Sequence, residues 1–291
     1  MYIILGGTGH VGSAAAKALL ARGEAVTIVT HDKDKGAALK QAGAIIAVAD
    51  INDPDGLRRV LATGRRAFLL NPPADPGSDT DAEENRTVAL ILAALDGSGL
   101  EKVVAESTYG AQPGERLGDL NPLYALEQGL KAQPIPASII RAAYYFSNWD
   151  TALDSARRRG VVHTMYPVDF ALPMVAPQDL GAQAARLLTE PAGQTGTHYV
   201  EGPERYCSAD VAAAFAAALD KPVRAVATPR AQWVEGYQAL GFSAAAADSY
   251  ARMTATTLDG RYDLPDAPVR GSVRLQDYVA DLVDVHAGTR V

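Results

Sequence analysis

The sequence predicts an α/β fold: a parallel sheet with helices on both faces, followed by a smaller and mostly helical C-terminal lobe. Two observations predict it. Short, continuously apolar runs alternate with helical patterns through the first half of the chain, as expected for strands buried on both faces of a parallel sheet. A glycine-rich turn also joins the first strand to the first helix, the arrangement of a Rossmann-like, doubly wound sheet.

The strand runs are "YIIL" (2–5), "AVTIVT" (25–30), "AIIAV" (44–48), "AFLL" (67–70), "KVVAES" (102–107) and "ASIIR" (137–141). Between them the spacing predicts helices at 11–22, 34–42, 54–62, 80–97 and 121–132. "NPPADPGSD" (71–79) and "YGAQPGERLGDLNP" (109–122) hold too much Pro and Gly for regular structure, and long loops after strands tend to carry function. From about residue 142 helices dominate, at 177–189, 208–219, 230–240, 243–258 and 275–286. Ser208 is the expected N-cap of the second of these. "THYVEG" (197–202) is expected to return to the sheet, and Gly160 to end a helix after "ARRR" (156–159). The organisation expected is a dinucleotide-binding domain over 1–150 and a helical substrate or partner lobe over 151–291.

The 291 residues carry a formal charge of −7, which disfavours nucleic acid and anionic membrane surfaces as partners. Cys207 is the only cysteine, so no intrachain disulfide forms, and the five histidines show no ligand spacing, so no metal site is expected. The longest apolar stretch, "VALILAAL" (88–95), is too short to span a bilayer. The chain is expected to be cytoplasmic and to act on a small molecule.

Gly6, Gly9 and Gly12 fit G-x-x-G-x-x-G, and Gly7, Gly9 and Gly12 fit G-x-G-x-x-G. The strand before and the helix after supply the context that the motif needs. Glycines let the backbone approach a pyrophosphate, and the helix N-terminus favours its charge. An NAD site usually places a carboxylate at the tip of the second strand. Here Thr30 and His31 stand there, followed by Asp32, Lys33 and Lys35, which points to NADP(H); Asp32 keeps NAD(H) open.

"GGTGHVG" (6–12), "ADINDPDGL" (49–57), "LLNPP" (69–73), "ESTYGA" (106–111), "PASIIRAAYYFSN" (136–148), "PQDLGAQAARLL" (177–188) and "SADVAAAFAAALDKPV" (208–223) together resemble the NmrA-like group of atypical short-chain dehydrogenases/reductases. That group includes NADPH-dependent quinone and triphenylmethane-dye reductases and also redox-sensing regulators. The glycine motif puts Gly6, Gly7, Gly9 and Gly12 at the pyrophosphate, and the resemblance implies that Thr8, Gly9, His10 and Val11 run along it. Their place at the tip of the second strand puts Thr30, His31 and Lys35 near the 2′-position, and the resemblance puts Asp50 and Ile51 near adenine and Asn71, Pro72 and Pro73 beside the ribose and nicotinamide. Ser107 would lie on the floor of the cleft. Thr108, Tyr109, Tyr124, Tyr144, Tyr145 and Phe146 would shape the substrate pocket. "YYFSNW" (144–149) fits a pocket for a planar substrate and equally a seam between lobes.

Two departures bear on chemistry. The arginine common at the second strand tip is Thr30–His31 here. None of the twelve tyrosines has lysine four residues on, and the lysine common before the matching Glu127 is Leu123. Without Tyr-x-x-x-Lys no catalytic residue is assigned, and hydride transfer to a quinone or dye, which stabilises the added charge itself, is the expected chemistry. The alternatives are a non-catalytic dinucleotide sensor acting through a protein partner, and a pathway-specific reductase or isomerase.

Overall fold

The computed structural model describes residues 1–32 and 34–288. Lys33, read above as part of a basic cluster, lies outside the described residues.

The first half alternates strictly. β1 (Tyr2–Leu5), α1 (His10–Leu20), β2 (Val26–Thr30), α2 (Ala37–Gln41), β3 (Ile45–Val48), α3 (Pro54–Leu61) and β4 (Arg66–Leu69) come first. α4 (Thr80–Leu95), β5 (Lys102–Thr108), α5 (Leu120–Lys131) and β6 (Ala137–Ala142) complete it. Local chemistry sets the helix starts. Asp53 caps α3 by accepting from the Gly56 N–H at 2.9 Å, with Pro54 in the first turn, and Asp79 caps α4 through the Ala82 N–H.

After β6 come β7 (Tyr144–Tyr145), a 3-10 turn over Phe146–Ala152, α6 (Leu153–Arg159), β8 (Val161–Thr164) and β9 (Leu172–Val175). Gly160 ends α6 in the left-handed region at φ +64°, as expected. Then follow α7 (Pro177–Thr189), β10 (Gly196–Glu201), β11 (Arg205–Tyr206), α8 (Ser208–Leu219) and β12 (Arg224–Ala227). α9 (Trp233–Ala239), α10 (Ala244–Leu258), β13 (Val269–Arg270) and α11 (Leu275–Gly288) close the chain. Ser208 is the first residue of α8 rather than its cap. The cap is Cys207, whose N–H donates to Asp210 Oδ2 at 2.8 Å, while the Ser208 hydroxyl donates to Thr164 Oγ1.

Eight strands form one sheet in the order β13-β10-β6-β5-β4-β1-β2-β3, and every pairing in it is parallel. Strand order reverses between β1 and β4, the point at which open α/β sheets form a binding crevice. Alternate residues divide the core: Ile4 and Ile28 face α1 and α7, whereas Ile3, Leu5 and Val29 face α3 and α4. α7 lies close on α1 because a Cβ at Gly181 would sit 2.5 Å from the Ala14 backbone. Thus α7 and β10, though late in the chain, are built into the sheet and its layer.

The remaining strands form two small sheets, β11-β9-β7 and β12-β8. With α6, α8 and α11 they enclose a separate core around Phe146, Trp149, Met174, Phe215 and Val279. No helix among the described residues is long and apolar enough to cross a membrane.

Candidate functional site

Two cavities meet at the C-terminal edge of the sheet, and Leu70, just beyond β4, lines both. The first, of about 490 Å³, is walled by Gly6 and Thr8 of the glycine loop, Thr30 and His31 at the tip of β2, Asp50 and Ile51 after β3, and Pro72. The second, of about 620 Å³, lies between the sheet and the later helices.

The loop between them has a shape that only glycine permits at three places. Gly6 has φ +68°, a Cβ at Gly7 would lie 2.4 Å from the Ile28 side chain, and a Cβ at Gly12 would lie 2.2 Å from the Gly6 carbonyl oxygen. Gly9, which caps α1, differs: its Cβ position meets only that same oxygen at 3.4 Å, so the space above it is open. The first-turn N–H groups of α1 have no helical acceptor and present partial positive charge there. This cradle suits an anion such as a pyrophosphate.

At the β2 tip, Thr30 Oγ1 accepts from the Asp32 N–H at 3.2 Å, and Asp32 Oδ1 accepts from the Asp34 N–H at 2.9 Å. The Asp32 carboxylate is engaged in the turn and does not line the cavity. Lys35 is exposed and does not line it either.

In the second cavity the Asn71–Pro73 turn is held from α4. The Thr87 hydroxyl donates to Asn71 Oδ1 at 2.7 Å, and Glu84 Oε1 accepts from the Ala74 N–H at 3.1 Å. His10 stands at the mouth with Nε2 3.7 Å from Asp150 Oδ2, and the Tyr278 hydroxyl donates to the other oxygen of Asp150 at 2.9 Å. Tyr144 and Tyr145 line the cavity, with Tyr144 at 5.9 Å from Trp149 and 6.4 Å from Tyr166 between ring centres. Tyr237, Phe242 and Tyr250 form the opposite wall.

Other residues expected at the site lie elsewhere. Phe146 is fully buried against Tyr206 and Tyr278, because the chain turns into the 3-10 segment at that residue. Tyr109 is buried with its hydroxyl on Glu201 Oε1 at 3.0 Å. Ser107 is buried and donates to Glu127 Oε1 at 2.6 Å, and Val11 packs into the core beneath the loop. Thr108 and Tyr124 are half-buried and line neither cavity.

Sequence reasoning missed three carboxyl groups in the second cavity: Glu84, Glu106 and Asp119. Two had a signal. Glu106 interrupts an apolar strand, and Glu84 falls on the same helical stripe as Thr80, Val88 and Ile91. Burial holds Glu106 up at about 7, opposed by the hydrogen bond from Tyr145. Burial and the neighbouring Asp119 push Glu84 above the usual carboxylate range, and burial pushes Asp119 up. Among the described residues no lysine or arginine lines this cavity. Among the described residues no group of histidine, cysteine and carboxylate side chains could hold a metal ion.

A parallel sheet with its crevice at the switch point and a glycine cradle opening a helix defines a dinucleotide-fold protein. The chain belongs to the NmrA-like family, whose profile matches residues 2–252. It is 23% identical over 256 residues to an NAD(P)H azoreductase of Xenophilus azovorans, covering 86% of this chain and 84% of that one. It is 26% identical over 208 residues to the nitrogen metabolite regulation-like protein bik4 of Gibberella fujikuroi, covering 65% and 61%. Among solved structures, the NADPH complex of the NADPH-dependent quinone oxidoreductase QOR2 from Escherichia coli superposes with a TM-score of 0.78 at 19% identity, covering 97% of this chain and 99% of that one. The triphenylmethane reductase of Citrobacter sp. does so with 0.78 at 16% identity and the same coverage.

Proposed function

We propose that the chain is an NAD(P)H-dependent reductase that prefers NADP(H) and passes hydride to a small conjugated acceptor such as a quinone or a dye. The observation that carries this reading is the meeting of the two cavities at Leu70: a cleft along the tips of β1, β2 and β3 runs into an aromatic chamber. The names of the relatives agree with it, being an azoreductase, a quinone oxidoreductase and a dye reductase.

The bound dinucleotide would supply the hydride. The chain's own work is then to bind, orient and exclude water. The α1 N-terminus and the open face of Gly9 take the pyrophosphate. Asp50 and Ile51 flank the adenine, and the pinned Asn71–Pro73 turn fixes the ribose and nicotinamide. Tyr144, Tyr145 and the opposite wall of Tyr237, Phe242 and Tyr250 offer flat apolar faces to a planar acceptor. In this reading residues 1–150 carry the dinucleotide, and 151–291 supply the far wall of the acceptor chamber while returning α7 and β10 to the sheet.

The likeness to bik4 favours a second reading, a dinucleotide-binding regulator without turnover acting through a protein partner. Anaerobic NADPH oxidation against a panel of quinones, dyes and carbonyls, with cofactor affinity measured alongside, separates the two. Turnover with at least one acceptor supports the reductase; tight NADPH binding with no oxidation by any acceptor supports the regulator.

A further inference from the structure

We propose that Tyr145 is a proton donor of the acceptor chamber and that Glu106, directly behind it, resupplies its proton, so that the substrates extend to acceptors whose reduction leaves a basic oxygen or nitrogen. This rests on the reductase reading. It departs from the expectation that a chain without Tyr-x-x-x-Lys lacks an acid.

The geometry comes from two strands. Glu106 is the fifth residue of β5 and is 3% exposed. Tyr145 ends the two-residue strand β7 and is half-buried. Its hydroxyl lies 2.5 Å from Glu106 Oε1, and both residues line the chamber that also holds Asn71 and Pro73. Glu106 Oε2 is buried without any hydrogen-bond partner. A permanently ionised carboxylate would be costly in that position, whereas a carboxyl group that is protonated for part of its cycle avoids the cost.

The step balances as follows. A bound reduced dinucleotide would supply hydride to the electrophilic atom of the acceptor's C=O, C=N or N=N bond. The π pair moves to the other atom, which takes the Tyr145 phenolic proton. The tyrosine oxygen takes a proton from Glu106 Oε1 across the 2.5 Å contact, reversing the bond seen in the structure, in which the Tyr145 hydroxyl donates to that oxygen. Glu106 is left as a carboxylate and regains its proton from water. The acceptor gains a hydride and a proton, and the dinucleotide is oxidised.

Tyr145 cannot do this beside an ionised Glu106. Burial, and then the Glu106 charge, hold the phenol well above its ordinary range, and losing its proton would set two buried anions in contact. With Glu106 protonated, no such pair of anions forms. The other titratable groups that line the chamber are the carboxyls Glu84 and Asp119, the imidazoles His10 and His163, and the phenols Tyr144, Tyr166, Tyr237 and Tyr250. Of these, Asp119 also raises Tyr145.

The test compares a diketone, which needs a proton, with a cationic triphenylmethane dye, which becomes neutral on accepting hydride and needs none. The kcat/KM ratio of diketone to dye should fall about tenfold per pH unit above roughly pH 7, the Glu106 titration. Both Glu106→Gln and Tyr145→Phe should lower that ratio by 10²–10⁴, as loss of a general acid does, and should abolish its pH dependence. Infrared titration of the protein without cofactor gives a readout independent of turnover. The protonated-carboxyl signal, to which Glu84 and Asp119 also contribute, should contain a component near pH 7 that is lost in Glu106→Gln and moves to higher pH in Tyr145→Phe, because the tyrosine hydrogen bond lowers Glu106. An unchanged ratio with active dye reduction, or a band unmoved by Tyr145→Phe, overturns the relay and leaves the reductase reading standing. NADPH oxidation by no acceptor removes both.

Discussion

Gly9 and Gly12 face one carbonyl oxygen, that of Gly6, at very different range: a Cβ on Gly12 would lie 2.2 Å from it, and one on Gly9 3.4 Å. Gly12 therefore serves the packing of α1 on the loop, and Gly9 keeps clear the space in front of the helix N-terminus. Gly9 also has φ −82° and ψ 177°, extended backbone that any residue adopts. Gly9→Val should fold with its melting temperature little changed while its affinity for NADPH falls by about tenfold or more by calorimetry. Gly12→Val should lose stability itself, by about 1–3 kcal/mol or more. Equal NADPH binding by folded Gly9→Val and wild type would remove the loop from the cofactor site.

Cofactor choice turns on Thr30. Its side chain closes the turn that leads to Asp32, and the Asp32 carboxylate is engaged by the Asp34 N–H. Among the described residues no carboxylate stands at the tip itself, where Thr30 and His31 line the cavity. Thr30→Asp puts one there, and a like charge within about 4 Å costs about 1–4 kcal/mol between bulk water and a protein surface. The ratio of NADPH to NADH affinity should drop roughly tenfold or more. A wild type that binds NADH more tightly than NADPH would mean that Asp32 turns outward to the ribose.

The sheet was legible in the sequence because its central strands are buried on both faces and read as continuous apolar runs, and even the exposed edge strand β3 keeps an apolar run; six expected strands from "YIIL" to "ASIIR" correspond to β1 to β6, with ends differing by at most one residue. The glycine loop was legible because strand and helix flank it. The acceptor chamber was much less so. Tyr144, Tyr145 and Phe146 look alike in the sequence, and only the start of the 3-10 turn sends the third into the core. Strands β7, β8, β9, β11, β12 and β13 span two to four residues each and exist through remote partners, as β8 does with Arg224–Ala227. So short a run carries no periodicity. The carboxyls escaped because Glu84 stands among the charged residues of the first turns of α4, Asp119 lies in a loop, and the one break that Glu106 makes in β5 does not say what faces it.

Beneath the cleft, Arg141 of β6 forks onto Glu127 of α5, with Nε on Oε1 and Nη2 on Oε2, both at 2.8 Å. Ser107 and Tyr199 complete the network, and Glu127 is 1% exposed. Arg141→Ala would leave that carboxylate buried without its counter-charge, so a loss of about 3–5 kcal/mol is expected. Chemical denaturation should show a lower midpoint with the slope retained. Arg141→Ala with Glu127→Leu should recover much of the loss, since removing both partners of a buried pair costs far less than removing one. A double variant no more stable than the single one would mean that Arg141 acts through packing alone.

Glu106 makes stability depend on pH in a stated direction. Its carboxyl titrates at about 7 in the folded chain, against an ordinary 4.5. Below the ordinary value both folded and unfolded states hold the proton, and the group contributes no pH dependence. Between about 4.5 and 7 the unfolded chain releases it while the folded chain retains it, so stability falls as pH rises. Above about 7 the loss is complete, on the order of 3 kcal/mol for a shift of this size. Glutamine keeps the shape and the acceptor for the Tyr145 hydroxyl but cannot ionise. Glu106→Gln should therefore match the wild type at pH 4 and exceed its melting temperature by several degrees at pH 8.5. The difference should grow across the window and then level off. Calorimetry of both proteins at a series of pH values checks this; a difference that stays constant from pH 4 to 8.5, or that favours the wild type at high pH, would mean that Glu106 ionises in the fold as readily as in the unfolded chain.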